Sequence, residues 1–234
     1  MSGDRWARLT WQAGDPGALA GDLARWLAIR PGLVDGGVWR FDLGGEALDI
    51  VPWRREGPGD EPTADGRLVF EPIAGGSDVP QRDPEARVAL VGVAWATVEL
   101  DRAEAELDPW LFAAERSAGD GDAHADPHLG ARTRLRRGTS LPGGTLVLAE
   151  PDTEGRLAAA LARDGEGPCA LYLRSAEGLD AWAAAARGRG VRLSARRRGP
   201  LGTAVLLLGR RGAGPHLLIV ENSATAARPG TIAP

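Results

Sequence analysis

The stretch that decides the fold begins Thr145-Leu146-Val147-Leu148-Ala149-Glu150-Pro151 and closes with His216-Leu217-Leu218-Ile219-Val220-Glu221. Its first piece is an apolar run that stops at a Glu-Pro pair, as a buried strand does. An alanine-rich segment, 154–163, follows at helical spacing, then the turn Gly165-Glu166-Gly167-Pro168. Residues 169–174 form the next strand, and a second alanine-rich helix covers 177–187 up to Gly190-Val191. Two further strands, 203–208 and 216–221, end the stretch. The order is strand, helix, strand, helix, strand, strand.

The order repeats upstream. Residues 8–12 alternate as a strand, and Asp15-Pro16 starts a helix with an N-cap acid and proline in the first turn. Pro31-Gly32 stops that helix. Strands follow at 38–43 and 47–53 across Gly44-Gly45, with a further one at 67–73. Residues 88–99 are almost continuously apolar and read as a strand buried on both faces. A helix starts at Asp101 and runs to Leu107, where Asp108-Pro109 ends or restarts it. Residues 117–129 read as a loop, 129–137 as a strand and 145–150 as its partner. Three segments therefore share one plan, and each would leave one sheet face open unless the units pair. The division expected is an additional unit at 1–73, a linker at 74–86, a paired domain at 87–222 and a polar tail at 223–234. Three is an odd count. The first unit either packs on the others within the chain or pairs with a copy of itself in a homodimer.

Composition narrows the function classes. The chain of 234 residues is 43% hydrophobic and 26% charged, ordinary for a soluble globular protein. All 28 basic residues are arginine and the net charge is −4, which gives a nucleic-acid partner no support. One cysteine, Cys169, excludes an internal disulfide and a cysteine zinc cluster, and its place in an apolar strand reads as a buried thiol. The start, Met1-Ser2-Gly3-Asp4-Arg5, carries no apolar signal region, and no apolar run reaches membrane-span length. The expectation is a cytoplasmic protein.

The pieces Ala149-Glu150-Pro151, Gly165-Glu166-Gly167, the strand 169–173, Arg189-Gly190-Val191 and Leu217-Leu218-Ile219-Val220-Glu221 follow one another at spacings that resemble the vicinal oxygen chelate superfamily, the glyoxalase, bleomycin-resistance and dioxygenase-like proteins. Residues 144–222 resemble its methylmalonyl-CoA epimerase branch most. The resemblance implies an α+β fold of paired βαβββ modules around a bowl. It also implies a divalent metal held by one residue from each of four strands. Alignment puts Val93, Val147, Ala170 and Leu218 at those places, and none of them carries a donor atom. In the first unit the corresponding residues are Arg8 and Asp49, which make an ion pair rather than a metal site. No metal and no cofactor are therefore expected.

In the register that the resemblance implies, the bowl is lined by Val93, Trp95 and Thr97; by Ala170, Tyr172 and Arg174; by Thr145, Val147 and Ala149; and by His216, Leu218 and Val220. Trp95, Thr97, Tyr172, Arg174 and Thr145 are the candidate ligand-binding residues, with Arg174 and His216 as polar anchors at the rim. Ordinary core packing explains the same residues. Glu150, Glu166, Glu221 and His216 are the groups left for acid–base work, with His216, Glu150 and Glu221 the catalytic candidates. His124-x-Asp126-x-His128 has the residue types of a metal site, and a solvated loop is the reading preferred. Arg132, Arg134 and Arg136 form a basic strand stripe, read as a solvated face. Five of the eight tryptophans, Trp6, Trp11, Trp26, Trp39 and Trp53, fall in the first unit and read as core. The leading function is metal-independent binding of a small apolar or aromatic, optionally anionic, molecule. Two alternatives stand beside it: a metal-independent epimerase, isomerase or lyase, and an interaction module with a filled barrel.

Overall fold

The computed structural model describes residues 7–34, 36–54, 66–72, 86–111, 123–138, 141–152, 154–208 and 215–221. Its first unit runs β1 (Ala7–Ala13), α1 (Pro16–Leu27), β2 (Gly32–Val34), β3 (Val38–Asp42) and β4 (Ala47–Pro52), followed by β5 (Arg67–Pro72). The second runs β6 (Val88–Ala96), α2 (Leu100–Leu111), β7 (His124–Asp126), β8 (Ala131–Arg137) and β9 (Thr145–Pro151). After α3 (Arg156–Asp164) the third runs β10 (Gly167–Ser175), α4 (Leu179–Gly188), β11 (Arg197–Gly199), β12 (Gly202–Leu206) and β13 (His216–Val220). In each unit the first strand lies parallel to the last, which the intervening helix makes possible. Among the described residues no helix is long and apolar enough to cross a membrane.

The helix starts follow local chemistry. The Asp15 side chain accepts the Ala18 N–H at 2.9 Å, and Pro16 needs no partner for its nitrogen. Helix α2 does not stop at Leu107 but continues to Leu111. Two three-residue strands, β2 and β11, fall where the sequence pattern marks no strand, because their partners β3 and β12 supply the ladder. A third, β7, falls inside the stretch expected to be a loop.

Units two and three join into one eight-stranded sheet, ordered β11-β12-β13-β10-β6-β9-β8-β7. The join is the antiparallel pair β6–β10, where Ala94 faces Ala170. Two register shifts interrupt it, between Pro168 and Ala170 and between Tyr172 and Leu173. The first unit forms its own five-stranded sheet, β2-β3-β4-β1-β5, so β5 occupies the edge of β1 that corresponds to the β6–β10 seam.

The two sheets share a core. Leu9, Trp11, Leu23, Phe41 and Ile50 of the first unit pack in one cluster with Leu90, Val93, Leu171, Leu173, Trp182 and Ile219. Full burial of each such side chain stabilises the fold by about 1.5–3 kcal/mol. Polar contacts fix the docking. The Leu90 N–H donates to the Leu43 carbonyl at 2.9 Å, and Arg189 donates to the carbonyls of Arg25 at 3.0 Å and Trp26 at 3.2 Å. The first unit thus packs on the others within the chain. Trp11 lies in this core with Trp26 and Trp39 against it, while Trp6 lies outside the described residues.

Gly143 sits at φ 69° beside the strand β6 backbone; a Cβ there would meet the Gly92 nitrogen at 2.5 Å and the Val91 carbonyl carbon at 2.7 Å. Gly165, at φ 75°, has open space where its Cβ would be. Gly165→Ala is expected to cost about 1 kcal/mol from backbone strain alone. Gly143→Ala adds a backbone clash and should cost clearly more, read as the larger drop in urea midpoint.

Candidate functional site

The face of the large sheet turned away from the first unit is the bowl. Its central row is Leu135, Val147, Ala94, Ala170 and His216, set opposite one another across five strands. Tyr172, Leu218 and Leu206 make the next row. The bowl is filled. Ala94, Val147, Ala170 and Leu218 expose no surface and Tyr172 only 1%, with Leu129 and Leu157 packed among them.

The outer edges of the sheet close over this face. Asp126, on edge strand β7, is 1% exposed and accepts the Tyr172 hydroxyl at 2.6 Å. It also accepts the His128 N–H at 2.8 Å and the Leu129 N–H at 3.3 Å, the turn expected when an Asp precedes Pro127. Gly199, on the opposite edge strand β11, lies against the same carboxylate; a Cβ there would be 3.6 Å from Oδ2. His128, also buried, donates through Nε2 to the Ala204 carbonyl at 3.1 Å. These contacts tie β7 to β10, β11 and β12. Burial, then the Asp126 charge, pushes the Tyr172 hydroxyl well above its ordinary pKa. The same two causes push the Cys169 thiol up to about 12, so it stays protonated at neutral pH.

Open space lies elsewhere. A cleft of about 250 Å³ is lined by Arg67 and Phe70 of β5, Trp95 of β6, and Glu166, Pro168 and Cys169 around the start of β10. Phe70 and Trp95 stack with centroids 5.9 Å apart and planes 18° from parallel. The Arg67 guanidinium lies 4.8 Å over the Trp53 ring, and its Nε donates to Gln12 at 3.1 Å. Oxygen Oε1 of Glu166 accepts the Thr97 hydroxyl at 2.8 Å, the Val98 N–H at 2.7 Å and Arg102 at 2.5 Å. Burial acts to raise the Glu166 carboxyl, but those three donors outweigh it and hold it below the ordinary value.

The expected bowl lining is right on three strands and off by one on β6. Ala94 faces the bowl in line with Val147 and Ala170, whereas Val93 and Trp95 point to the opposite face. The run 88–96 has no polar alternation to settle which face is which, and the register shifts in β6–β10 remove the simple count. Tyr172 is in the bowl, but as a donor to Asp126 within a packed core, not as the wall of a void. Thr97 is buried and bonded to Glu166. Thr145 is buried at the start of β9, opposite Arg137. Arg174, half-buried opposite Val220, has no hydrogen-bond or ion-pair partner among the described residues. His216 is buried opposite Ala170. Glu150 joins two structural contacts: Oε1 accepts Arg132 at 2.5 Å, and Oε2 accepts the Leu100 N–H at 3.2 Å at the start of α2. Glu221 is exposed, its N–H donating to the Thr203 carbonyl. Of the residues singled out for ligand binding, Trp95 is in the lining of the cleft, and of the acid–base candidates Glu166 is there as well.

Other expectations are corrected or filled in. His124 is exposed, but Asp126 and His128 are buried rather than solvated. Among the described residues no group of three or more His, Cys, Asp or Glu is placed to hold a metal. Two arginines of the basic stripe lie against α2, where Arg134 bonds Asp101 at 2.7 Å and Glu104 at 2.6 Å and Arg136 pairs with Glu104, while Arg132 is exposed and pairs with Glu150. In the first unit, Asp49 takes a two-pronged bond from Arg40 at 2.6 and 2.7 Å, with Arg8 at 3.7 Å, which is the ion pair expected there. The residues missed are Arg67 and Phe70 in the cleft; Asp126 stands out in the sequence, but as a solvated residue rather than a buried one. The period-two spacing of His124, Asp126 and His128 is the signal that could have marked that stretch as a strand rather than a loop.

Two βαβββ modules fused through their first strands into one curved eight-stranded sheet are the vicinal oxygen chelate fold, and the described residues between 88 and 220 have it. Solved structures to which the chain is similar include methylmalonyl-CoA epimerase from Mycobacterium tuberculosis, at 24% identity over 61% of this chain and 95% of that one, with a TM-score of 0.48. A Streptomyces coelicolor methylmalonyl-CoA epimerase variant, in complex with 2-nitronate-propionyl-CoA, matches at 25% identity over 57% of this chain and 96% of that one, TM-score 0.44. A hypothetical protein from Bacillus halodurans matches at 15% identity over 58% and 96%, TM-score 0.47. No protein-family model matches the chain, and no curated protein matches it.

Tyr172→Phe leaves the buried Asp126 with backbone donors alone and should lower unfolding free energy by about 1–3 kcal/mol in urea titration. Glu166 makes an opposite kind of contribution, tied to pH. Its folded pKa lies below the unfolded one, so its stabilisation is present above the unfolded value and lost as pH falls through the folded one. Replacing it by Gln should flatten the acid limb of the stability–pH curve; an unchanged limb would show that Glu166 has no such share.

Proposed function

We propose that this protein binds a small apolar or aromatic molecule without a metal, in the cleft between β5 and the start of β10 rather than in the bowl. The carrying observation is the contrast between the two places. The bowl is packed by Val147, Ala170, Tyr172 and Leu218, while the cleft offers about 250 Å³ beside the stacked Phe70 and Trp95 rings. Flat aromatic walls with few polar groups suit a planar, mostly apolar ligand of one or two rings. The bowl residues Ala94, Val147, Ala170 and Leu218 have no oxygen, nitrogen or sulfur side-chain donor, so a divalent ion of the family type does not fit there.

A second reading has its own observation. A bowl closed by the Asp126–Tyr172 bond is what a filled-barrel interaction module requires. The enzyme reading has less behind it, because Glu150 and Glu221 stand apart from the cleft and Glu150 is committed to Arg132 and α2.

Calorimetry with single-ring and fused-ring aromatics separates these readings. Binding should quench tryptophan fluorescence, survive a chelator, be lost in Trp95→Ala and persist in Tyr172→Phe. Binding that persists in Trp95→Ala would move the site out of the cleft. No binding by any aromatic probe would leave the filled-barrel module.

A further inference from the structure

We infer that the cleft selects a cationic aromatic amine, with the ammonium bonded to Glu166 and the ring beside Phe70 and Trp95. The inference rests on the cleft being the binding site.

The charged residues in the lining are Arg67, Asp164 and Glu166. Arg67 is engaged on the first unit's side, over Trp53 and with Gln12. Both Asp164 oxygens hold Arg163, at 2.8 and 2.5 Å. Glu166 differs. Among the described residues its three donors all bond Oε1, and Oε2 takes none. A carboxylate oxygen free to accept, on a side chain whose other oxygen is clamped, is a positioned acceptor. Because the donors hold Glu166 below the ordinary carboxylate value, it stays ionised across the neutral range, where an aliphatic ammonium is also charged.

The aromatic pair adds to this. The faces of Trp and Phe rings carry negative charge density and attract a cation within about 6 Å of the centroid. An amine one or two carbons from a phenyl ring could place its ring against Trp95 and its charge at Glu166. A carboxylate ligand would meet the Glu166 charge with its own. The anionic option considered from the sequence rested on Arg174, which does not line the cleft.

Three isosteric probes test the inference: phenethylamine, 2-phenylethanol and phenylacetate, titrated by calorimetry into the full chain. Phenethylamine should bind about tenfold tighter than the alcohol, the scale of one cation–π contact plus a charged hydrogen bond. Phenylacetate should bind weakest. Added salt should shrink the preference for the amine. So should Glu166→Gln, which keeps an oxygen for the three donors and turns the free position into an amide N–H. Equal binding of amine and alcohol, or tightest binding of phenylacetate, overturns the charge inference and leaves the aromatic cleft standing. A preference that salt does not change overturns it as well, and this arm needs only the wild-type chain should Glu166→Gln fail to fold. If none of the three binds, the cleft reading falls and the inference with it.

Discussion

The antiparallel seam between β6 and β10 is the constraint on which the large sheet depends. It places two βαβββ units back to back, so their parallel partners β9 and β13 flank it and the short strands β7 and β11 fall at the two outer edges. Once the sheet curves, those edges approach each other. The only way to bury a short edge strand is to give its polar groups partners. Asp126 and His128 do this on one side, meeting Tyr172, Gly199 and the Ala204 carbonyl on the other. The closure and the small inward residues Ala94, Ala149 and Ala170 act together. Small side chains let the sheet curve tightly, and the Tyr172 ring fills the space that remains.

The element order was legible because it rests on short-range signals. Asp15-Pro16 caps a helix whatever else the chain does, and Gly44-Gly45 turns a hairpin. Which face each strand shows was legible only where polar residues mark one face. On β8 the arginines at 132, 134 and 136 leave Thr133 and Leu135 for the bowl, and both are buried there. On β6 apolar residues occupy both faces, so no periodicity assigns Val93 or Trp95 to a side. The register shifts at Cys169 and near Val91 then change the count between matching strands.

The site was less legible than the fold for a physical reason. A ligand set carried on one strand leaves a pattern in the sequence; a cleft between units leaves none. Arg67 and Glu166 are 99 positions apart by their numbering, and they line the same cleft only after the first unit has docked. The buried Asp126 is an intermediate case. Its residue types were visible, but exposure was the natural assumption for a Gly- and Asp-rich stretch, and only a tertiary donor such as the Tyr172 hydroxyl makes its burial tolerable.

The place of β5 explains why open space lies outside the bowl. In the large sheet, the free edge of each unit's first strand is satisfied by the other unit's first strand. The first unit has no second unit of its own, and β5 satisfies that edge instead, pairing Ala7 through Gln12 with Pro72 back to Arg67. A single strand covers the edge without supplying a helix or further strands, so it leaves a gap where it meets β6 and β10. Phe70 leans into that gap onto Trp95, which the large sheet turns outward for the same reason that it turns Ala94 inward. The cleft is therefore a consequence of an unpaired third unit docking on a complete pair: the bowl is closed by the pair's own edges, and the new surface is made at the join.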